Sequence, residues 1–257
     1  MVLQALSLSV FFIGHSLVSP AVPEMLAISV RAAKIESRVD FQIINGAPLK
    51  VSWTDSANGQ GKDGRVSLAS GAYGAVVITE AIPLKDQIEY NDSNGYALRW
   101  YELAVSANPK AQVYLYETWH NRDGDDALWR KRLDDDLSRW EGIVDAVNGA
   151  RKPGTPDMLI VPAGQALAKL HDEIAAGRVP DLGAMGDLFA DDIHLTDVGK
   201  YFVTMVHFAT IYKRSPEGLP RRLGPYKNAP SEALAAKMQQ VAWEVVRSYP
   251  RSGVGGL

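Results

Sequence analysis

Two short stretches, far apart in the chain, carry residue types that together can activate a hydroxyl group. The first is Gly14-His15-Ser16, at the end of an apolar run; the second is Asp191-Asp192-Ile193-His194, just ahead of a helical pattern. A serine hydroxyl is a weak nucleophile until an oriented base removes its proton. In a D-x-x-H spacing on a tight loop, the Asp191 carboxylate can hold one imidazole nitrogen of His194 while the other faces a serine. Each piece alone has an ordinary reading: Ser16 as the cap of the helix that follows, and the D-x-x-H as a solvated loop. Together they are much less expected by chance. They assign Ser16 as nucleophile, His194 as general base and Asp191 as its orienting carboxylate. Asp197 is a separate candidate, as N-cap of the helix behind it.

The elements that must position these residues follow from hydrophobic patterning. Five short apolar runs look like buried strands: residues 7–14 (SLSVFFIG), 40–46 (DFQIING), 74–79 (GAVVIT), 112–118 (QVYLYET) and 157–161 (DMLIV). Their near-continuous apolar character suits parallel strands covered on both faces. Helical patterns lie over residues 21–37, 95–106, 126–148, 163–176, 197–213 and 231–248; Pro20 and Pro23 mark the start of the first, where a missing N–H costs nothing. Alternation of strand and helix implies a three-layer α/β/α fold with right-handed crossovers. A five-stranded parallel sheet in the order 2-1-3-4-5 is expected, within one domain over residues 1–257. Ligands in such sheets bind beyond the carboxyl ends of the strands. Ser16 falls there, near a helix N-terminus whose N–H groups favour a developing oxyanion. Residues 50–72 and 216–230 read as irregular insertions and 253–257 as a frayed tail.

Composition removes several classes of function. Hydrophobic residues make up 46% of the 257, enough for a large core. The net charge of −3, with no basic stripe, argues against nucleic acid as a partner. The absence of cysteine removes disulfides, thiolate metal sites and a cysteine nucleophile. No apolar run is long enough to span a bilayer, so no membrane partner is expected. The apolar start, residues 1–18, has no preceding Lys or Arg and no small-residue cleavage site, and it runs straight into Gly14; it reads as the first core strand, not a secretory signal. Residues 59–64 (GQGKDG) fit G-x-G-x-x-G, but they follow directly on no strand and no helix is evident at the third glycine, so they read as a flexible loop. His15, His120, His171 and His207 show no zinc spacing, and neither metal nor cofactor is expected. Trp53 and Trp119 follow strand ends, where each can stack on a sugar ring or pack in the interior.

The same residues resemble the SGNH/GDSL hydrolase superfamily. Gly14-His15-Ser16 looks like its first block, usually G-D-S or G-N-S; Asn45-Gly46 looks like the second and Asp191 to His194 like the last. The resemblance runs from Val10 to Phe202. It implies a flavodoxin-like α/β/α fold, hydrolysis of esters (often acetyl groups on carbohydrates), and an oxyanion hole in which the N–H of Gly46 joins that of Ser16. Phe12-Ile13-Gly14-His15-Ser16, Thr118-Trp119 and Val161-Pro162-Ala163-Gly164 look more narrowly like a bacterial branch of SGNH-like proteins. One block departs. The family's G-x-N-D after the third strand, whose Asn donates to the oxyanion, is replaced by Thr79-Glu80-Ala81-Ile82-Pro83. Asn121, after the fourth strand, could supply the missing donor, as could a backbone N–H alone. Glu80 either ties down a neighbouring loop or accepts a bond from a substrate hydroxyl.

The expectation is therefore a serine esterase for short-chain acyl esters, acetyl above all, of small molecules or carbohydrates. Its catalytic residues are Ser16, His194 and Asp191; Ser16, Gly46 and Asn121 form the oxyanion hole; Glu80, Trp53 and Trp119 contact substrate. An acyltransferase with the same triad, and a catalytically silent carbohydrate-binding protein on the same fold, are the alternatives.

Overall fold

The fold is that of a computed structural model describing residues 8–255. One sheet contains β1 (Val10–Gly14), β2 (Val39–Ile43), β3 (Gln60–Gly61), β4 (Ala75–Ile78), β5 (Gln112–Tyr116) and β6 (Leu159–Val161), in the spatial order β3-β2-β1-β4-β5-β6. β1, β2, β4, β5 and β6 are parallel and keep the expected order. β3 is an addition: two exposed residues pairing antiparallel with β2, with no apolar run to announce them. Ser7, expected to open the first strand, lies outside the described residues.

The continuous apolar runs have a simple cause. Successive side chains of a strand point to opposite faces. Val10 and Phe12, Ala75 and Val77, and Tyr114 and Tyr116 enter one core; Phe11 and Ile13, Val76 and Ile78, and Val113 and Leu115 enter the other. The first core is closed by α1 (Ala21–Ala32), α7 (Ala163–Ala175), α8 (Asp197–Tyr212) and α9 (Glu232–Ser248). The second is closed by α2 (Leu49–Thr54), α3 (Gly64–Ala69), α4 (Leu84–Tyr90), α5 (Ser93–Ala107) and α6 (Asp126–Ala150). α8 is buried almost all round because the sheet side and α9 both cover it. No helix among the described residues is long and apolar enough to cross a membrane.

Several expected boundaries shift. α1 ends at Ala32 rather than at residue 37, because Lys34 takes a left-handed backbone (φ 56°) and Ile35 N–H turns back to Val30 O at 3.1 Å. The segment expected to be irregular, 50–72, folds into α2, β3 and α3. Its organiser is Gln42, fully buried on β2: Nε2 donates to Ser52 O (2.8 Å), while Oε1 accepts from Ser56 Oγ (2.5 Å) and Gly64 N (2.7 Å). Asp63 caps α3 by accepting from Arg65 N and Val66 N, so a helix does start at the third glycine of GQGKDG, and the flexible-loop reading of those residues is corrected. The tail is not frayed as far as it is described, since Val254 is buried. Asp197 is not the cap of α8; Thr196 is, accepting from Gly199 N, and Asp197 opens the helix.

If Gln42 organises this insertion, Gln42→Ala strands a buried N–H at Gly64 and a carbonyl at Ser52, while the Ser56 hydroxyl keeps Asp63 Oδ1 (2.6 Å). At about 1–3 kcal/mol per stranded group that stays dry, a urea melt should shift clearly, and trypsin should cut faster at Lys62 and Arg65. An unchanged midpoint and unchanged cleavage would refute the assignment.

Candidate active site

β1 ends in a turn that only glycine permits. A Cβ on Gly14 would come within 2.5 Å of Val18 Cγ2 and 3.0 Å of Thr79 Cγ2. The chain then winds tightly, with Val18 N and Ser19 N both donating to His15 O at 2.9 and 3.1 Å. His15 is buried inside this turn. Its Nε2–H donates to Glu80 O (3.0 Å) and Nδ1 accepts from Leu17 N (3.4 Å). Burial holds the His15 pKa below its ordinary value, as one donating and one accepting nitrogen require. Ser16 is not the cap of α1: that position is Pro20, without a side-chain bond, and Ser19 Oγ accepts from Ala21 N. The Ser16 hydroxyl is instead 3.0 Å from His194 Nε2.

His194 lies on a loop pinched at its base by a bridge between Phe189 and Leu195, with Ala190 N donating to His194 O at 2.7 Å. Inside it, Asp191 Oδ1 accepts from His194 N (2.7 Å) and Ile193 N (2.9 Å), and Oδ2 stands 2.8 Å from His194 Nδ1. Those backbone N–H groups first, then the imidazole, bring the Asp191 pKa down to about 2, so the carboxylate stays ionised at any ordinary pH. The pair is open to water, with side-chain exposures of 42% for His194 and 57% for Asp191. Its rigidity comes from the segment after β5. Trp119 Nε1–H donates to Ile193 O (2.7 Å), Arg122 N to Asp192 O (2.9 Å), and Asp123 N to Asp192 Oδ1 (2.9 Å).

The other expected residues separate into two groups. Gly46 lies at the carboxyl end of β2, in an exposed turn closed by Ala47 N donating to Ile44 O (3.1 Å), with the left-handed backbone (φ 71°) that favours glycine. Ile44 N donates to Gly14 O at 3.0 Å, which joins that turn to the end of β1. Asn121 is exposed on the wall of a 610 Å³ groove, beside Ile82, Pro83, Lys85, His120 and Arg132. No hydrogen bond joins it to Ser16 or Gly46 among the described residues. Two substrate contacts are corrected. Trp119 is buried and presents no face to a sugar. Glu80 is fully buried, its Oε1 accepting from Ala81 N (2.8 Å) and Leu49 N (3.0 Å), so it lies out of reach of a substrate hydroxyl. Trp53 is half-buried and packs edge-on against Trp100, with ring centroids 4.8 Å apart.

Sequence pattern alone does not disclose the roles of His15, whose neutral ring sets the serine turn, or of Arg122, whose backbone steadies the histidine loop. A third such residue is Glu117, buried at the end of β5. Glu117 accepts from Gln165 Nε2 (2.9 Å) and Gln165 N (3.3 Å), at the start of α7, and Gly164 leaves it room, since a Cβ there would sit 2.7 Å from Oε1. A lone carboxylate closing an apolar run was the available signal, and Thr79-Glu80 carries the same one. Among the described residues, no group of three or more His, Asp or Glu is placed to hold a metal ion.

No family model matches the chain, and no curated protein matches it in sequence. Solved structures do resemble it. A DUF4886 family protein from Bacteroides uniformis superposes with a TM-score of 0.64 at 20% identity, over 95% of this chain and 96% of its own. A candidate GDSL-like lipase from Parabacteroides merdae superposes with a TM-score of 0.53 at 11% identity, over 79% of this chain and 94% of its own. At such identities the likeness is one of fold, and it agrees with the α/β/α architecture expected from the sequence.

Glu117 gives the region a pH signature. Burial pushes its pKa from the ordinary 4.5 up to about 8. Between those values the folded chain holds a proton that the unfolded chain has lost, so this group makes stability fall as pH rises through the window. Glu117→Gln cannot ionise. In denaturant melts taken from pH 5 to 9, the stability difference between wild type and this variant should drift steadily; parallel curves would show that Glu117 does not titrate there.

Proposed function

We propose that this chain is a serine ester hydrolase acting through an acyl-enzyme on Ser16. One observation carries the reading: the relay from Ser16 Oγ to His194 Nε2 at 3.0 Å and from His194 Nδ1 to Asp191 Oδ2 at 2.8 Å, at the carboxyl end of a parallel sheet. Ser16 Oγ attacks the ester carbonyl carbon while His194 Nε2 takes its proton. Asp191 keeps the imidazole turned and steadies the imidazolium. The N–H groups of Ser16 and Gly46 receive the oxyanion. Collapse of the tetrahedral intermediate breaks the bond from the carbonyl carbon to the alkoxy oxygen, and His194 returns its proton to the departing alcohol. Water, activated by the same base, then releases the acid and restores Ser16.

The substrates proposed are short-chain acyl esters, acetyl above all, of small molecules or carbohydrates. This choice rests on the likeness of Gly14-His15-Ser16, Asn45-Gly46 and Asp191 to His194 to the SGNH/GDSL blocks. The shared fold with a candidate GDSL-like lipase supports ester hydrolysis as such, not the choice of acyl group.

Ser16→Ala is expected to lower kcat on an aryl acetate by about a thousandfold or more, and a fluorophosphonate should label Ser16 in the wild type. A variant that keeps about a tenth of wild-type kcat removes Ser16 as nucleophile. A folded wild type that takes no label fits the silent binding protein, and acyl transfer to an added sugar in preference to water marks an acyltransferase.

Asp191→Asn should lower kcat/KM by roughly ten- to a thousandfold, less than the about 10⁴ seen for a buried triad aspartate, because this pair is open to solvent. A fully active Asp191→Asn chain would sink the pairing.

A further inference from the structure

We propose that Glu80 is the positioning residue of the oxyanion hole, the one side chain that fixes the Gly46 turn relative to the Ser16 turn. The inference rests on the ester-hydrolase reading above. It starts from a junction: Glu80 is in contact with both donor segments. Its backbone carbonyl accepts from His15 Nε2 (3.0 Å), in the turn that carries Ser16, and its carboxyl Oε1 accepts from Leu49 N (3.0 Å), just beyond Gly46.

The stretch from Leu49 back to Gly46 is stiff enough to transmit this hold. Pro48 fixes its own φ at −67°, Ala47 is buried, and Ala47 N closes the turn on Ile44 O. The turn is therefore pinned at two points. Ile44 N is tied to Gly14 O on one side of it, and Leu49 N is tied to Glu80 on the other. An oxyanion donor works by pointing at the place where charge develops. With no Asn side chain at the end of β4 to add a third donor, the aim of these two N–H groups matters more.

The carboxyl is a costly way to fill this space. Glu80 is fully buried, and the buried Ser93 hydroxyl faces its carboxyl. Taking a carboxyl out of water costs free energy that an apolar side chain filling the same space would not. What an apolar side chain lacks is an acceptor that can hold Leu49 N and Ala81 N at once. The hold on the Gly46 segment gives the carboxyl a functional account.

The test compares three substitutions at Glu80, none of which alters its backbone carbonyl. Glu80→Gln keeps an acceptor at full reach; Glu80→Asp keeps a carboxyl but is one methylene short; Glu80→Ala removes the acceptor. Turnover of an aryl acetate is measured well below each variant's melting temperature and divided by the sites that a fluorophosphonate titrates, so unfolded protein does not count. Removing an oxyanion donor outright costs about a hundred- to a thousandfold in kcat. Misaiming one should therefore lower kcat by about ten- to a hundredfold in the Asp and Ala variants, with KM changed less than about threefold, while Gln stays within about fivefold of wild type.

If Ala does not fold, the comparison of Asp with Gln decides. A purely structural role would lower the melting temperature and the number of titrated sites but leave kcat per site unchanged. An active wild type whose Asp and Ala variants keep full kcat per site overturns the inference, and so does a Gln variant as slow as Asp. A wild type that neither cleaves esters nor takes label at Ser16 removes the ester-hydrolase reading, and this inference with it.

Discussion

A strand covered on both faces has nowhere to display a polar side chain except at its ends. β1 is such a strand: Val10, Phe11, Phe12 and Ile13 are fully buried, divided between the two cores. The interior gains apolar burial on the order of 1.5–3 kcal/mol for each large side chain, and any reactive group is pushed to the first residues beyond the sheet. Gly14 turns the chain there without a side chain to collide with Val18 or Thr79. Ser16 follows two residues later, half-buried, beside the ends of β2 and β4. The position of Ser16 thus follows from the packing of the strand behind it.

The histidine side of the relay is built differently. Nothing buries His194 and Asp191, so the attraction between them is screened by water and contributes little as charge. Geometry has to come from backbone bonds. Asp191 is held by two N–H groups of its own loop, and the loop is held by Trp119, Arg122 and Asp123. Trp119 shows how a residue that reads as a ligand platform can serve the site indirectly. Its ring is buried against Tyr116 and Phe189, and its N–H bonds the loop that carries His194. The segment after β5 therefore acts as a bracket between the sheet and a surface loop.

What the sequence discloses, and what it hides, divides along physical lines. β1 and β4 are legible because covering both faces produces an unbroken apolar run, and the serine and the D-x-x-H are legible because their chemistry needs those residue types. β3 is not legible, since two exposed residues pairing at an edge need no apolar pattern. The order in residues 50–72 is hidden for a different reason. It depends on one long-range side chain, Gln42, which looks like an ordinary polar residue in a strand. Trp119 and Glu80 follow strand ends, but burial decides their roles, and no local pattern distinguishes a buried tryptophan from one facing a ligand.

Glu80 and Glu117 repeat one device on neighbouring strands. Each sits just beyond the end of its strand, each is buried, and each accepts a backbone N–H from the start of a helix: Leu49 of α2 for Glu80, Gln165 of α7 for Glu117. Burial raises the pKa of both, while the N–H groups pull it back down. The partial positive charge of a helix start favours a carboxyl in such a place. A carboxyl used in this way faces inward as an acceptor, whereas the Asn of a G-x-N-D block faces outward as a donor. On the proposed function, replacing one by the other leaves the oxyanion to backbone donors. Backbone donors neither titrate nor change rotamer, but they are only as well aimed as the turns that hold them. That is why the ties at the ends of β1, β2 and β4 converge on the same few residues.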